Sequence, residues 1–196
     1  MNSTAGMEGK AGSSRAVRSS GLWSAESLTK MALMVALLSA SSYISIPIPF
    51  SQARISAGTL VVNVIGLLLA PAQTVVVTLV WILLGLVGVP VFTGGTAGPA
   101  KLFGPVGGYF VGWVVAAWLI AVFCRFVKNE KLQLVFLIAA GIPVIYLFGA
   151  VWYKFVTAQP WGPVILQTVV PFIPLDIVKC IAAMAIARAL RATHLF

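Results

Sequence analysis

The chain has 196 residues, of which 60% are hydrophobic and 9% are charged, and its mean hydropathy is +1.04. Because a water-soluble domain is about 45–50% apolar and roughly a quarter charged, this composition excludes a chain surrounded only by water and predicts a lipid bilayer as its environment. In a soluble protein, a net charge of +9 would favour nucleic acid as the partner. In a membrane protein, basic residues beside the spans instead indicate which side of the membrane each loop occupies, so no nucleic acid is expected.

The chain is long enough for six apolar spans of about 20 residues and too short to add a large catalytic domain outside the membrane. Residues 1–22, rich in Gly, Ser and Ala, are expected to be a flexible N-terminal segment, and residues 23–196 a six-helix transmembrane domain. The spans are predicted over 28–46, 55–70, 72–89, 106–127, 132–155 and 176–192. Only a turn at Pro71 separates the second span from the third, which predicts that these two are antiparallel neighbours.

Three connections between the spans, at residues 47–57, 90–105 and 155–175, have an unusual composition. The middle one contains four glycines and three prolines, and its irregular backbone leaves polar groups that lipid cannot satisfy. Six spans place both chain ends on one side of the membrane, where nine basic residues compare with three on the other, so both termini are predicted to be cytoplasmic. The three loops then share the outer face and predict the mouth of a ligand site.

The segment PFIPLDIVK, at 171–179, contains Asp176, one of four acidic residues in the chain. An ionisable side chain at membrane depth costs about 2.5–3.5 kcal/mol on insertion scales, so it is retained where it has a partner or a task. Lys179 is the expected partner, because a spacing of three places both side chains on one helix face. Two interpretations remain open: a pair that presents an acceptor and a donor to a cavity, or an ion pair that only orients the last span.

The glycine-rich stretch that begins at Gly94 is similar to a phosphate-binding loop only superficially. Its second glycine position and its Ser/Thr position hold other residues, so the magnesium ligand of such a loop is missing. For Gly94, Gly95 and Gly98 both ligand contact and simple turn geometry are retained as explanations. For Gly108 and Gly112, close packing of helices is at least as good an explanation as ligand contact.

Small residues recur every four positions in the first span, at Ala32, Ala36 and Ala40. Such a stripe permits close helix contact in lipid, and from the residues alone another span of the same chain is as good a partner as any. Trp152, beside the third outer loop, is interpreted as an interfacial anchor or a core residue that can also wall a pocket.

No arrangement of residues indicates catalysis, and neither a catalytic residue nor a metal site is predicted. The only histidine, His194, lies in the predicted cytoplasmic tail, so no nucleophile–histidine pair and no histidine metal site is available in the membrane. A single intramembrane carboxylate also excludes a paired-aspartate site. Cys124 and Cys180 lack the spacing of metal ligands and of a disulfide framework.

Three stretches carry a resemblance to a known family: ISAGTLVVNVIGLLLAP at 55–71, LLGLVGVPVFTGGTAGPAKLFGPVGGYFVG at 83–112 and VVPFIPLDIVK at 169–179. On these motifs the chain resembles the biotin-specific S components (BioY family) of energy-coupling-factor (ECF) transporters over roughly residues 28–192. The resemblance implies an all-α S-component fold in the cytoplasmic membrane, with biotin captured from outside as the transported ligand and no cofactor. It also implies that the alanine stripe docks on a membrane coupling subunit that works with two ATPase subunits.

The resemblance also suggests roles for individual residues. Biotin has a ureido ring with two N–H donors and a carbonyl acceptor, which Asp176 and Lys179 would bind, and a thioether ring that Tyr109 would help to enclose. The carboxylate of biotin is expected nearer the mouth. There Lys101 and Arg54 are candidate counter-charges, and interfacial snorkelling is an equally good explanation of their positions.

The chain departs from the family pattern at Gly58, Val106 and Leu175, where Gln, Thr and Gly are usual. Two other functions remain open from the residues alone. In the first, the chain is a proton-coupled or facilitative carrier for biotin or another small vitamin that works without a coupling module. In the second, it is a structural membrane protein, which leaves the irregular loops and the charged pair without a purpose.

Overall fold

The computed structural model describes residues 23–49 and 52–193, and the predicted flexible segment 1–22 and His194 lie outside these residues. The described chain forms nine α-helices and one two-stranded hairpin, in the order α1 (Ala25–Ser41), β1 (Ser45–Pro47), β2 (Arg54–Ser56), α2 (Gly58–Leu68), α3 (Pro71–Leu86), α4 (Pro99–Leu102), α5 (Gly107–Phe126), α6 (Glu130–Phe136), α7 (Ile142–Thr157), α8 (Trp161–Thr168) and α9 (Ile173–Ala192). A π-helical turn, Leu137–Gly141, joins α6 to α7 without a break. The predicted helical character of the chain is confirmed.

Within residues 23–49 and 52–193, three helical stretches are long and apolar enough to cross a bilayer: α5, the run of α6 and α7, and the run of α8 and α9. α2 and α3 are apolar but shorter, with 11 and 16 residues. Because a helix rises about 1.5 Å per residue and the hydrocarbon core is about 30 Å thick, α2 reaches across only about half of it. Nearly every residue from Gly58 to Leu67 is buried inside the protein, so α2 does not depend on contact with lipid.

α5 is the central helix and packs against α2, α3 and α7. Two of its glycines lie against α7. A Cβ added at Gly112 would be 3.1 Å from the Cα of Ile145, and one added at Gly108 would overlap the carbonyl oxygen of Phe148. Of the two explanations for these glycines, the contacts support close helix packing.

α2 and α3 are not the close neighbours that the turn at Pro71 predicts. α2 packs mainly on α5 and α9, and α3 packs mainly on α5 and α1. Ala70 has an extended backbone with a ψ of 152°, the conformation that a residue before proline prefers. Because each helix nevertheless packs mainly on other helices, the prediction that α2 and α3 are close neighbours is wrong.

The end of the bundle that carries β1, β2 and α4 is more regular than the sequence predicts. Residues 47–57, expected to be an irregular loop, include parts of an antiparallel hairpin formed by β1 and β2. α4 interrupts the glycine-rich stretch, which is fastened to the helices by two backbone bonds of 2.8 Å, from Gly94 N–H to the Ser42 oxygen and from Gly98 N–H to the Gly85 oxygen. Strands of three residues are too short to produce an alternating pattern, so the sequence does not reveal them.

Candidate functional site

A cavity opens at the end of the bundle where the hairpin and α4 lie. The space between its lining atoms is about 580 Å³, a volume that includes open solvent at the mouth. Its apolar lining comes from Val106, Phe110, Trp113, Ile145 and Phe172. Its charged lining comes from Arg54, Lys101, Asp176 and Lys179, and hydroxyl or amide groups come from Gln52, Ser56, Thr59, Thr93, Tyr109 and Tyr146.

Asp176 is the buried acid of this cavity, with a side chain that is only 3% exposed. It lies in the first turn of α9, two residues after Pro174. The first turn of a helix tolerates proline and favours a negative charge. Asp176 Oδ1 accepts a hydrogen bond from Lys179 Nζ and its Oδ2 accepts one from the Tyr146 hydroxyl, each at 2.8 Å. Because each carboxylate oxygen can accept two hydrogen bonds, both oxygens keep capacity for a ligand.

Lys179 follows Asp176 by one helical turn and contributes the complementary group. Its side chain is 13% exposed, and the bond to Asp176 is the one hydrogen bond recorded for its ammonium within the described residues. An ammonium has three N–H donors, so two of them remain for a ligand acceptor. The pair therefore presents acceptors and donors side by side, which a ligand carrying both kinds of group can match.

Tyr109 reaches the cavity from the first turns of α5. Its hydroxyl donates to the carbonyl oxygen of Thr168 at 2.6 Å, which ties α5 to α8. The ring lies directly against Gly149 of α7 and 6.4 Å, centroid to centroid, from Phe172. Because its hydroxyl is already bonded to the protein, Tyr109 offers the cavity chiefly an aromatic surface.

Two cations, Arg54 of β2 and Lys101 of α4, line the cavity on its loop side. Burial, and to a smaller extent the positive charge of Arg54, lower the pKa of Lys101 below the value of an ordinary lysine. Asp176 is the one acid among the described lining residues, and it is already paired with Lys179. The loop side is therefore electropositive and suits an anionic group.

Comparison with known proteins places this chain in a family. A sequence profile of the BioY family matches residues 13–195. The chain belongs to the BioY family. Among its relatives, the biotin transporter BioY2 of Lactococcus lactis subsp. cremoris is 33% identical over 172 residues, which cover 86% of this chain and 93% of that protein. The probable biotin transporter BioY of Pyrococcus horikoshii is 33% identical over 168 residues, which cover 85% of this chain and 97% of that protein.

A solved structure has a similar fold. It is the crystal structure of the S-component for biotin from an ECF-type ABC transporter, and it matches with a TM-score of 0.78 and 30% sequence identity. The match covers 84% of this chain and 90% of that one. The BioY resemblance that rests on three motifs is therefore confirmed, and the chain has the fold of a membrane transporter S component.

The structure brings together five of the nine residues predicted to contact a ligand, because Arg54, Lys101, Tyr109, Asp176 and Lys179 all line the cavity. The ligand contact predicted for each of these five residues stays a prediction. What the structure adds is their common location and the hydrogen bonds that orient three of them.

The other four predicted residues lie outside the lining of the cavity. Gly94, Gly95 and Gly98 have φ angles of 82°, 68° and 93°, so turn geometry explains their identity without a ligand. Trp152 donates its indole N–H to the carbonyl oxygen of Gly104 at 2.9 Å and joins α7 to the stretch before α5. Trp152 is half-buried, so the described structure places it neither in the core nor in the lining of this cavity.

The alanine stripe of α1 lies on the surface of the described chain. Ala32, Ala36 and Ala40 are all exposed, and the adjoining Leu33 and Leu37 are 57% and 42% exposed. Packing against another span of the same chain, which the sequence leaves open, therefore does not account for the stripe. Docking of a partner on this face stays a prediction.

Sequence reasoning misses Tyr146, whose hydroxyl bonds directly to Asp176. A tyrosine inside an apolar helix is ordinary, and only its position opposite Asp176 in the folded chain gives it a role. Trp113 is a core residue, 5% exposed, that also lines the cavity, and the sequence does not single it out. No local pattern could have found either residue, because each depends on contacts between distant segments.

Proposed function

We propose that this cavity binds biotin from the outer side of the membrane and that the chain is the substrate-binding subunit of a vitamin uptake transporter. The observation that carries the proposal is the pair of Asp176 and Lys179, which is buried at one side of a cavity with apolar walls and still has unused donors and acceptors. The relatives described above are biotin transporters, which agrees with the exclusion of catalysis from the sequence.

The chemistry of biotin fits each part of the cavity. The free acceptor positions of Asp176 receive the ureido N–H groups, and Lys179 donates to the ureido carbonyl oxygen. Tyr109 packs against the thioether ring. The carboxylate of biotin lies toward Arg54 and Lys101, because the one acid among the described lining residues, Asp176, is paired with Lys179 and not with these two cations.

The proposed topology has six passes through the cytoplasmic membrane, both termini in the cytoplasm and residues 23–196 as the transmembrane domain. Arg125, Lys128 and Arg191 surround the C-terminal end of α2, whereas the cavity lies at its N-terminal end. An excess of basic residues at the end away from the cavity favours that end as the cytoplasmic one. The burial of α2 explains how a short helix completes one of the passes.

The energy for transport is proposed to come from partner proteins, a membrane coupling subunit and two ATPase subunits. The exposed stripe of Ala32, Ala36 and Ala40 is the docking face, because small side chains permit the close helix approach by which helices associate in lipid. Ala36→Trp is expected to abolish biotin uptake in cells and to leave biotin binding by the purified protein unchanged.

A matched control for that variant is Leu83→Trp, which places the same ring on an exposed position of α3. It is expected to preserve both uptake and binding. Equal loss of uptake and binding in Ala36→Trp would instead indicate a role of the stripe in the fold of the chain itself.

The direct test of the ligand is a thermal-unfolding screen of the purified protein with biotin, thiamin and riboflavin. A bound ligand raises the apparent free energy of unfolding by about 2.7 kcal/mol at a concentration one hundred times its dissociation constant. Biotin alone is expected to raise the unfolding temperature. A shift with thiamin or riboflavin and none with biotin would overturn the proposed ligand.

The alternative of a solitary carrier uses the same site and differs only in the source of energy. Uptake that persists in cells lacking the ATPase partners and collapses with the proton gradient would favour it. Uptake that requires the ATPases and survives loss of the gradient would favour the coupled transporter.

A further inference from the structure

Gly58, in the first turn of α2, lies beneath the indole ring of Trp113 on α5. A Cβ added at Gly58 would be 3.1 Å from both Cζ2 and Cζ3 of Trp113 and would overlap its Cη2. These distances are shorter than the roughly 3.5–4.0 Å of an ordinary carbon contact. The indole therefore occupies the space that any side chain at position 58 would need.

Other aromatic rings hold the indole in this place. Trp81 lies 5.4 Å from it and Phe110 lies 6.1 Å from it, between ring centroids. Trp81 is itself 1% exposed and in edge contact with Phe92 at 5.2 Å, so the cluster behind the indole is closely packed. Because packed interiors resist compression, a displaced Trp113 ring has room only toward the cavity that it lines.

We propose that Trp113, seated on Gly58, is the wall of the cavity that selects for the apolar ring of the ligand. The inference rests on the proposed binding of biotin and adds to Tyr109 a second aromatic determinant of specificity, one that Gly58 positions. Asp176 and Lys179 hold the ureido group, and the indole packs against the thioether ring, where sulfur and aromatic surfaces attract each other. Gly58 is a positioning residue, because the absence of its side chain lets the ring lie back from the cavity.

The first test is suppression of one substitution by another, with biotin titrated into the purified, full-length protein. Gly58→Ala is expected to push the indole into the cavity and to weaken biotin binding by about tenfold or more. Adding Trp113→Phe removes the ring that meets the new Cβ, so the double variant is expected to bind about as well as Trp113→Phe alone. A double variant as weak as or weaker than Gly58→Ala would overturn the inference.

Gly66→Ala is the matched control, because it changes a buried glycine in the same helix. A Cβ at Gly66 would be 2.9 Å from Ile120 and 3.0 Å from the carbonyl oxygen of Ala117, and none of these residues lines the cavity. The variant is expected to unfold at a lower temperature than the unmodified chain while its folded fraction binds biotin normally. Equal weakening of binding in Gly66→Ala and Gly58→Ala would show that packing, and not the wall, is at fault.

The second test uses Trp113→Phe alone and remains decisive even where Gly58→Ala does not fold. Biotin and desthiobiotin share the ureido group and the carboxylate, but desthiobiotin lacks the sulfur ring. Loss of the indole is expected to reduce the preference for biotin over desthiobiotin by about two- to tenfold. An unchanged preference would reject the wall.

Failure of the wall and failure of the proposed ligand give different results. An unmodified chain that does not bind biotin overturns both. An unmodified chain that binds biotin, together with a Trp113→Phe variant that discriminates as before, overturns only the role of Trp113.

Discussion

Asp176 and Arg191 are charged residues near opposite ends of α9, and their partners differ in kind. Arg191 donates to the carbonyl oxygen of Leu67 at 2.6 Å and to Gln133 Oε1 at 3.4 Å. Asp176 accepts from a lysine and a tyrosine, and its oxygens keep unused positions toward a cavity. The same two helices, α2 and α9, therefore carry a closed end and an open end.

At the closed end the charge completes the structure. The last carbonyl groups of a helix have no partners within it, and Arg191 supplies a donor to one of those of α2. Gln133, which accepts from Arg191, in turn donates its amide N–H to the Val127 carbonyl oxygen at 2.7 Å. Arg191 has five N–H donors, two of which are bonded to Leu67 and Gln133, but it is half-buried, so water can take the others. The comparison teaches that unused hydrogen-bonding capacity indicates a ligand site when the charge is buried beside a cavity, as Asp176 is.

The largest effect is expected from Asp176→Asn, at the open end of α9. The amide replaces an acceptor oxygen with a donor and leaves Lys179 without its counter-charge. Biotin affinity, measured by calorimetry, is expected to fall well over tenfold, and the free energy of unfolding to fall by about 3–5 kcal/mol. Glu130→Gln, which removes an acid near Arg188 at the other end of α9, is the control and is expected to leave affinity unchanged. Normal affinity in folded Asp176→Asn protein would reject the ligand role.

A smaller effect of a different kind is expected from Arg191→Met. Losing the donors to Leu67 and Gln133 is expected to lower the free energy of unfolding by about 1–3 kcal/mol, with biotin affinity unchanged. Arg188→Met is the control, because that side chain is 76% exposed and its ion pair with Glu130 is worth about 0–1 kcal/mol. Weaker binding in Arg191→Met would show that the two ends of α9 are not independent.

The smallest of these effects concerns a cation at the open end, Lys101. Lys101→Gln is expected to weaken biotin binding by about three- to tenfold, because one of two cations near the ligand carboxylate is lost. Lys154→Gln is the control: its ammonium lies 5.2 Å from the centre of the Trp161 ring and outside the cavity lining. Equal effects of the two substitutions would indicate general surface charge instead of a carboxylate site.

The same lysine predicts a pH dependence of binding. Burial, and secondly the charge of Arg54, lower the pKa of Lys101 below 10.5, so its proton is lost earlier than that of an ordinary lysine as pH rises. Only the protonated form attracts the carboxylate of biotin. Affinity is therefore expected to fall as pH rises through the lowered pKa and to fall less in Lys101→Gln, which a titration series at alkaline pH would measure.

Much of the fold follows from the sequence because apolar length is a strong signal. The spans that become α5, α7 and α9 are apparent from composition, and Asp176 stands out because a carboxylate is costly in such a segment. The hairpin does not stand out, because three residues carry no period. The divergence of α2 and α3 depends on the packing of both helices against α5, which a local turn at Pro71 does not encode.

The site is predictable where charge makes a residue unusual and unpredictable where only position does. Lys179, Lys101 and Arg54 are cations in or beside apolar segments, and all three line the cavity. Tyr146 and Trp113 are ordinary residues of apolar helices that acquire roles from neighbours far away in the sequence. Glycine identity misleads for a related reason, because a positive φ and a ligand contact both require a missing side chain.

α2 makes about three turns, where a helix that crosses the whole hydrocarbon layer makes between five and six. The chain enters it through Ser56 and Thr59, and both residues face the cavity. Because α2 is short, the space beyond its first turn is not filled by helix and belongs to the cavity. An α2 longer by one turn at this end is therefore expected to occupy part of the cavity and to weaken binding of the proposed ligand.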